Sequence, residues 1–202
     1  SLNRTMKLVL ATSNKGKLAE MQPILAEYGF DAIPQSAFGF TDAEETGHTF
    51  VENALLKARN ACRHTGLPAL ADDSGLIIDA LQGAPGLISA HYAGVHGDAK
   101  GNIAKVLSEM AALQNPIRTA RFYSCIVLLK HVDDPQPIIA EGIWHGDILE
   151  APLGEHGFGY DPIFWDPINK MSAAQLPAEF KNRISHRGQA LQQLKQKLHA
   201  RA

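Results

Sequence analysis

The fold of this chain begins with one strand–turn–helix unit, the segment KLVLATSNKGKLAEM at residues 7–21. Its first five residues have the apolar composition of a buried strand, Thr12–Lys17 is a polar turn, and the residues from Leu18 to Met21 have a helical pattern. A helix N-terminus carries a partial positive charge that favours acidic residues, yet this turn supplies Lys15 and Lys17 and no carboxylate before Glu20. The inverted charge predicts an anionic ligand such as a phosphate. A solvated capping turn is the alternative.

Strand-like and helix-like segments alternate along the rest of the chain, which predicts an α/β fold. Two strand-like segments joined by a short turn, Arg121–Lys130 and Pro137–Asp147, favour a mixed sheet over a purely parallel one. Helices are expected at about Gly16–Tyr28, from a Thr49-x-x-Glu52 capping box to Gly66, at Asp98–Met110 and at His186–His199.

Composition narrows the class of protein. The 202 residues are 45% hydrophobic and 20% charged with a formal net charge of −2, which gives no overall attraction to nucleic acid or to an anionic membrane. No apolar run approaches the roughly 20 residues of a membrane helix. Cys62 and Cys125 lie in apolar segments, which indicates reduced, buried thiols in a cytoplasmic protein.

The first five residues, Ser1–Thr5, lack the apolar segment of a signal peptide. We interpret them as an addition from cloning ahead of Met6. Because no repeat, low-complexity tract or linker interrupts the chain from Met6 onward, residues 6–202 are expected to form a single domain.

Two acidic clusters are candidates for a metal site. Asp72 and Asp73 follow the strand-like segment Leu67–Ala71, so we expect them at the carboxyl end of that strand, where ligands bind in open α/β sheets. Adjacent carboxylates near a core need a compensating cation, and Mg²⁺ suits one or two carboxylates with phosphate oxygens. The second cluster is Glu44-Glu45. For Asp72 and Asp73 an Asp-rich turn is the alternative, since Asp-Ser-Gly is common turn chemistry.

Residues later in the chain again place cationic side chains at a helix start, and a nearby loop adds aromatic side chains. His186 and Arg187 follow Ser185 at a second helix start, with Lys181 shortly before them. The loop Phe158–Asp161 could hold a purine ring, although core packing is the commoner role of aromatic residues. Two cationic helix starts, a carboxylate cluster and an aromatic loop together favour a nucleoside triphosphate bound with Mg²⁺.

The same motifs resemble those of the inosine triphosphate pyrophosphatase family, also called Ham1-like proteins. They cover nearly the whole chain from Met6 and occur in the order TSNKGK (12–17), EETG (44–47), FVENA (50–54), ADDSG (71–75), GAPG (83–86), GFGYDP (157–162) and SHRG (185–188). The resemblance, to a bacterial member, implies an elongated α/β fold with a long mixed sheet. It also implies two lobes with the active-site cleft between them, and usually a homodimer.

The activity implied by the resemblance is Mg²⁺-dependent hydrolysis of ITP, dITP and XTP to the monophosphate and pyrophosphate, which cleans the nucleotide pool of deaminated purines. Asp73 matches the proton acceptor and a metal ligand, and Glu45 matches a metal-associated position. The substrate-binding positions implied are Thr12, Ser13, Asn14, Lys15, Gly16, Lys17, Lys57, Ser74, Phe158, Gly159, Tyr160, Asp161, Lys181, His186 and Arg187. His186 and Arg187 could donate to the 6-oxo group of the base, which adenine lacks.

One departure from the family is visible at Ser89-Ala90-His91-Tyr92, where members commonly have arginine in place of His91. Arginine carries a permanent charge, whereas the charge of a histidine depends on pH, so the difference bears on local structure or a dimer contact. Two rival functions remain: a Maf-like pyrophosphatase acting on other triphosphates, and a nucleotide sensor that binds without cleavage. The Asp72-Asp73 pair argues against the sensor, because extra negative charge weakens simple binding of a triphosphate.

Overall fold

Seven strands form one sheet in the computed structural model, which describes residues 5–201. Residues 1–4, part of the segment interpreted as an addition from cloning, lie outside the described residues. The strands are β1 (Met6–Leu10), β2 (Phe30–Pro34), β3 (Ala69–Ile78), β4 (Thr119–Leu129), β5 (Ile138–Ile148), β6 (Phe164–Asp166) and β7 (Met171–Ser172). Their order across the sheet is β2-β1-β3-β4-β5-β6-β7.

Strand directions are mixed. β1 runs parallel to β2 and β3, whereas β6 runs antiparallel to β5 and β7. β4 and β5 are consecutive in the chain and neighbours in the sheet. The predicted α/β fold with a mixed sheet is therefore confirmed, as are the two strands expected in the middle of the chain.

Five helices lie within the described residues: α1 (Lys15–Glu27), α2 (Phe50–Thr65), α3 (Ala99–Ala111), α4 (Ala178–Ile184) and α5 (His186–Arg201). The four predicted helices are confirmed, and the short α4 is an addition. Asn14 caps α1 by accepting from the Lys17 amide, and Thr49 caps α2 by accepting from the Glu52 amide at 3.2 Å. Pro23 is accommodated inside α1.

The expected end of a strand before Asp72 is wrong. β3 continues through Asp72-Asp73-Ser74-Gly75 to Ile78, so neither a strand terminus nor an Asp-rich turn lies there. After β3, Asp79–Leu81 forms a short 3₁₀ turn. Successive side chains of a strand point to opposite faces, so Asp72 and Asp73 meet different surroundings. Each finds cationic partners on its own face, which allows acidic residues inside a buried strand.

The chain forms two compact units, in keeping with the two lobes that the resemblance implies. The first comprises the described residues up to Asp73, Ser124–Gly142 and the chain from His186 onward. In its core, apolar residues of β1, β3 and β4 are joined by the buried faces of α1 and α5, including Leu8, Leu10, Met21, Leu25, Leu70, Ile126, Leu191 and Leu194.

The second unit comprises Ser74–Tyr123 and Ile143–Ser185. Its core is more aromatic: the ring of Phe164 lies 4.4 Å from that of Phe122 and 4.9 Å from that of Trp144, between ring centroids. Aliphatic residues of β3 and α3 complete this core. None of the helices in residues 5–201 has the length and apolar character needed to cross a membrane.

Candidate active site

Asp72 is the centre of a buried charge cluster in the first unit. Its Oδ2 lies 2.8 Å from Lys17 Nζ and 3.5 Å from Arg187 Nε, and Ser124 Oγ donates to its Oδ1. Burial alone would raise the pKa of Asp72, but Lys17 and Arg187 outweigh it and hold that pKa well below its usual range. Burial also lowers the pKa of Lys17, despite the attraction of Asp72. Asp72 is therefore a permanently charged carboxylate, held by ion pairs at Oδ2 and by the Ser124 hydroxyl at Oδ1.

Arg187 is also committed to protein carboxylates. Its Nη1 donates to Glu20 Oε1, and both side chains are buried. The inverted charge at the two helix starts is thus balanced within the protein, by Asp72 for Lys17 and by Glu20 and Asp72 for Arg187. These contacts give Lys17 and Arg187 counter-ions within the protein, and the anionic ligand expected at the two helix starts stays a prediction. Lys15, by contrast, is exposed at the start of α1.

Asp73 faces a different set of groups. Lys57 Nζ donates to the Asp72 carbonyl oxygen at 2.7 Å and lies 3.3 Å from Asp73 Oδ1 and 3.2 Å from Glu45 Oε1. These three oxygens match the three donors of an ammonium group. Asp73 Oδ2 is buried and has no hydrogen-bond partner among residues 5–201. Lys57 thus joins one oxygen of each carboxylate.

The pKa values of this pair move in opposite directions. Burial raises the pKa of Asp73 to about 6; Lys57 and Lys17 oppose that rise, whereas Glu45 and Asp72 add to it. Burial also acts to raise the pKa of the half-exposed Glu45, but the adjacent Lys57 outweighs it, and the pKa is lowered. A carboxyl group with a raised pKa and an unused buried oxygen is typical of a functional position.

Glu45 and Asp73 suit a hard divalent cation. Both supply carboxylate oxygens, and the unused Asp73 Oδ2 would gain a partner from the ion. Within residues 5–201, no group of three or more His, Cys, Asp or Glu side chains is arranged to hold a metal. Two carboxylates completed by water and phosphate oxygens match the usual Mg²⁺ site rather than a structural zinc site.

The turn before α1 is ordered by its own side chains. Thr12 Oγ1 accepts from the Asn14 amide at 3.1 Å, and Asn14 Oδ1 accepts from the Lys17 amide at 3.1 Å. Ser13 Oγ donates to Asp42 Oδ2 at 3.4 Å. Gly16 is half-buried in the first turn of the helix. The turn is therefore linked, through Asp42, to the acidic segment that also contains Glu45.

A second polar cluster lies in the second unit. Asp161 Oδ2 accepts from the Phe158 amide at 2.9 Å and from Lys181 Nζ, and Lys181 Nζ lies 4.8 Å from the centre of the Phe158 ring. Tyr160 donates its hydroxyl to the Ser89 carbonyl oxygen at 2.7 Å and packs in the aromatic core. Gly157 has φ +74, and a Cβ there would lie 2.2 Å from Asp161 Oδ2. Only glycine permits this loop.

The structure divides the predicted site residues between the two units. Lys17, Glu45, Lys57, Asp73 and Arg187 contact one another or Asp72 in the first unit, where His186 is buried at the start of α5. The other group consists of Phe158, Gly159, Tyr160, Asp161 and Lys181, and Ser74 is half-buried in β3.

Sequence reasoning missed two residues of the first cluster, Glu20 and Ser124. The signal for Glu20 was available, because an acidic residue four positions before Ile24 lies on the apolar face of α1 and requires a buried partner. Ser124 lies in an apolar strand and carries no local signal of its contact with Asp72.

Comparison with known proteins finds relatives over nearly the whole chain. The Ham1 family model matches residues 8–197. A dITP/XTP pyrophosphatase of Xylella fastidiosa (strain 9a5c) is 57% identical over 193 residues, covering 96% of this chain and 97% of the relative. Another, from Vibrio cholerae serotype O1, is 52% identical over 188 residues, covering 93% of this chain and 94% of the relative.

Solved structures show the same likeness in three dimensions. A HAM1 protein from Coxiella burnetii superposes with a TM-score of 0.89 at 49% identity, covering 97% of this chain and all of that one. The Staphylococcus aureus Ham1 protein gives a TM-score of 0.83 at 36% identity with the same coverage. The resemblance drawn from the seven motifs is confirmed, and the chain belongs to the Ham1 family.

Proposed function

We propose that this chain is a nucleoside triphosphate pyrophosphatase that converts ITP, dITP and XTP to the monophosphate and pyrophosphate, and so cleans the nucleotide pool of deaminated purines. Bacterial relatives named dITP/XTP pyrophosphatase, 50–57% identical over nearly the whole chain, support it. The observation that carries the proposal is Asp73. It is a buried carboxylate beside Lys57 and Glu45, and its Oδ2 has no hydrogen-bond partner in the described part of the chain.

The cofactor in this proposal is Mg²⁺, held by Glu45 and Asp73. When bound, the ion would offset negative charge on the phosphate oxygens and on the leaving pyrophosphate. Lys57 already holds one oxygen of each carboxylate, at 3.2 Å and 3.3 Å, so both side chains are oriented in advance. That orientation supports assigning the two carboxylates to one ion.

Asp73 is the proposed proton acceptor. In this proposal the Asp73 carboxylate, whose Oδ1 contacts Lys57, accepts a proton from the water that attacks the α-phosphorus. The new bond joins the water oxygen to the α-phosphorus, the bond to the bridging α–β oxygen breaks, and pyrophosphate leaves. No covalent nucleophile is required, and both cysteines are buried.

Cations of the first unit would hold the triphosphate. Lys15 is exposed on the turn Thr12–Lys17 and is the lysine best placed for direct contact with phosphate oxygens, together with Lys57. Lys17 is paired with Asp72, so its contribution would come from its fixed charge and from the backbone amides of the turn it anchors.

Residues of the second unit are proposed to contact the base. The half-buried Phe158 ring is fixed from one side by Lys181 and through its backbone by Asp161, while Tyr160 holds the loop in the core. A rigid aromatic surface of this kind suits a purine ring. Ser74, Gly159, His186 and Arg187 remain proposed substrate positions, and donors facing the 6-oxo group would reject adenine by leaving those donors unpaired.

The same family membership supports a cytoplasmic homodimer whose partner is its small nucleotide, with no nucleic-acid or membrane partner. Cys62 and Cys125 are buried thiols that form no disulfide among the described residues, which suits a reducing compartment. A net charge of −2 gives no general attraction to polyanions. Light scattering after size-exclusion chromatography tests the dimer directly.

The test of the function is product analysis with ITP, dITP, XTP, GTP and ATP in the presence and absence of Mg²⁺. We expect pyrophosphate and the monophosphate from the first three, in amounts that require the metal. Orthophosphate as the first product would indicate a γ-phosphatase instead. Binding without turnover would support the nucleotide sensor, and preference for other triphosphates would support the Maf-like alternative.

A further inference from the structure

One face of α2 carries four side chains that each contact the segment bearing Glu45. They are Asn53, Lys57, Asn60 and His64, spaced four, three and four residues apart. At 3.6 residues per turn this spacing places them within about 60° of one another around the helix. We call them the α2 stripe. The segment they contact, residues 38–49, contains neither helix nor strand, and we call it the acidic loop.

The contacts run along the whole stripe. Asn53 Oδ1 accepts from the Gly47 amide at 2.8 Å, and Lys57 Nζ lies 3.2 Å from Glu45 Oε1. Asn60 Nδ2 donates to the Thr41 carbonyl oxygen at 2.9 Å. At the far end the His64 ring stacks on Phe40 with centroids 5.2 Å apart and planes 3° from parallel. The acidic loop therefore lies antiparallel to α2, with a contact on each side of Glu45.

Glu45 needs this support because packing does not hold it. Its side chain is 44% exposed, and a loop without secondary structure loses conformational entropy when one carboxylate is fixed. Asn53 is only 3% exposed and makes a backbone contact two residues beyond Glu45. Gly47 is required for this approach, since a Cβ there would lie 2.6 Å from Glu52 Cβ and 2.8 Å from Asn53 Oδ1.

We propose that Asn53 and Asn60 are positioning residues for Glu45. They hold the acidic loop along α2 so that the Glu45 carboxylate stays beside Asp73 and Lys57 in the geometry that a divalent cation requires. The inference rests on the proposed function, because it takes Glu45 and Asp73 as the metal ligands. Residues that orient metal ligands commonly change metal affinity by about 10–100-fold when removed.

The second unit offers a matched control. Asn102 on α3 is 4% exposed; its Oδ1 accepts from the Ala93 amide at 2.8 Å and its Nδ2 donates to the Ala90 carbonyl oxygen at 3.2 Å. It anchors a loop to a helix just as Asn53 does, but that loop contains no proposed metal ligand. Asn53→Ala and Asn102→Ala should therefore lose similar stability and differ in metal affinity.

The experiment titrates the full chain with Mn²⁺ alone, following the free ion by its electron paramagnetic resonance signal, and measures urea unfolding of each variant in parallel. We expect Asn53→Ala and Gly47→Ala each to weaken Mn²⁺ binding about tenfold, and Asn102→Ala to stay within about twofold of wild type. The double variant Asn53→Ala/Gly47→Ala should bind no more weakly than either single variant, because both break the same contact.

Equal Mn²⁺ affinity in Asn53→Ala and Asn102→Ala would overturn the inference and leave Asn53 a structural residue. If Asn53→Ala does not fold, Asn60→Ala removes the contact on the other side of Glu45 from a less buried position, with the same expected weakening. Wild-type binding that is lost in Asp73→Asn supports the metal site itself. If wild type binds no Mn²⁺, or Asp73→Asn binds as wild type does, the proposed metal site fails, and this inference with it.

Discussion

The two faces of β3 at Asp72 and Asp73 show how one strand gives two identical side chains opposite properties. On the first face, Asp72 is fully buried and held by Lys17, Arg187 and Ser124, with its pKa far below the usual range. On the second face, Asp73 has one lysine, an unused oxygen and a pKa raised to about 6. The protein supplies two cations and a hydroxyl group to the first face, whereas the second is suited to a cation and a water.

The largest effect should come from Asp73→Asn. Asparagine keeps an oxygen for Lys57 but cannot accept the proton from water, so turnover of ITP should fall about 10³-fold or more. Pyrophosphate release under saturating Mg²⁺ measures it. Urea unfolding should show a smaller loss of stability than at Asp72, because the folded state disfavours the charged form of Asp73. Turnover near the wild-type rate would contradict the proposal that Asp73, on the second face of β3, accepts the proton.

Asp72→Asn should act mainly on stability. It removes the shared counter-ion of Lys17 and Arg187 from a fully buried site, and breaking a buried pair in this way costs about 3–5 kcal/mol. The free energy of unfolding in urea, compared with that of wild type at neutral pH, gives the value. A loss below about 1 kcal/mol would show that the ion pairs of the first face do not stabilise the fold.

Lowering the pH should reduce the stability contributed by carboxylates whose pKa is lowered in the folded state. Asp166, in the second unit, tests this at a site away from the proposed metal ligands. Its oxygens accept from Trp144 Nε1 at 3.1 Å and from the Ile168 amide at 2.8 Å. Burial acts to raise the pKa of Asp166, but donors from Asn169, Trp144 and Ile168 outweigh it and lower that pKa. A lowered pKa adds stability above the unfolded-state value near 3.8, and this stability is lost as pH falls through the folded-state value.

Asp166→Asn should therefore lose about 1–3 kcal/mol at neutral pH, because two donors then face an amide nitrogen. The difference in unfolding free energy between wild type and Asp166→Asn should shrink as the pH falls from 5 to 3. Urea titrations at several pH values measure it. A difference that stays constant over that range would contradict the assignment of a lowered pKa.

The smallest effect is expected at Asp79→Asn. Asp79 forms an ion pair with Arg121 at 3.2 Å, but its side chain is 49% exposed and solvent screens the attraction. The same chemical change as at Asp72 should therefore alter unfolding only slightly, and still less in high salt. A loss of stability as large as that of Asp72→Asn would mean that burial does not explain the difference between Asp72 and Asp79.

Local signals in the sequence predicted most of the elements. The Thr49-x-x-Glu52 capping box and the apolar segments Arg121–Lys130 and Pro137–Asp147 identified a helix and two strands that the structure confirms. The roles that the resemblance implies for Asp73 and Glu45 stay a prediction, whereas the seven motifs identified the family correctly. These succeeded because capping, periodicity and motif spacing act within a few residues of the chain.

Only the tertiary structure determines which charged side chains contact one another. The sequence shows Lys17 and Arg187 at two helix starts, but only the fold brings Arg187 to Glu20, 167 positions earlier in the chain, and both cations to Asp72. It also carries β3 straight through two aspartates that local turn chemistry assigned to a strand end. The physical reason is that a buried charge is tolerated according to its partners in space, and those partners come from α1, α5 and β4, which no local pattern connects.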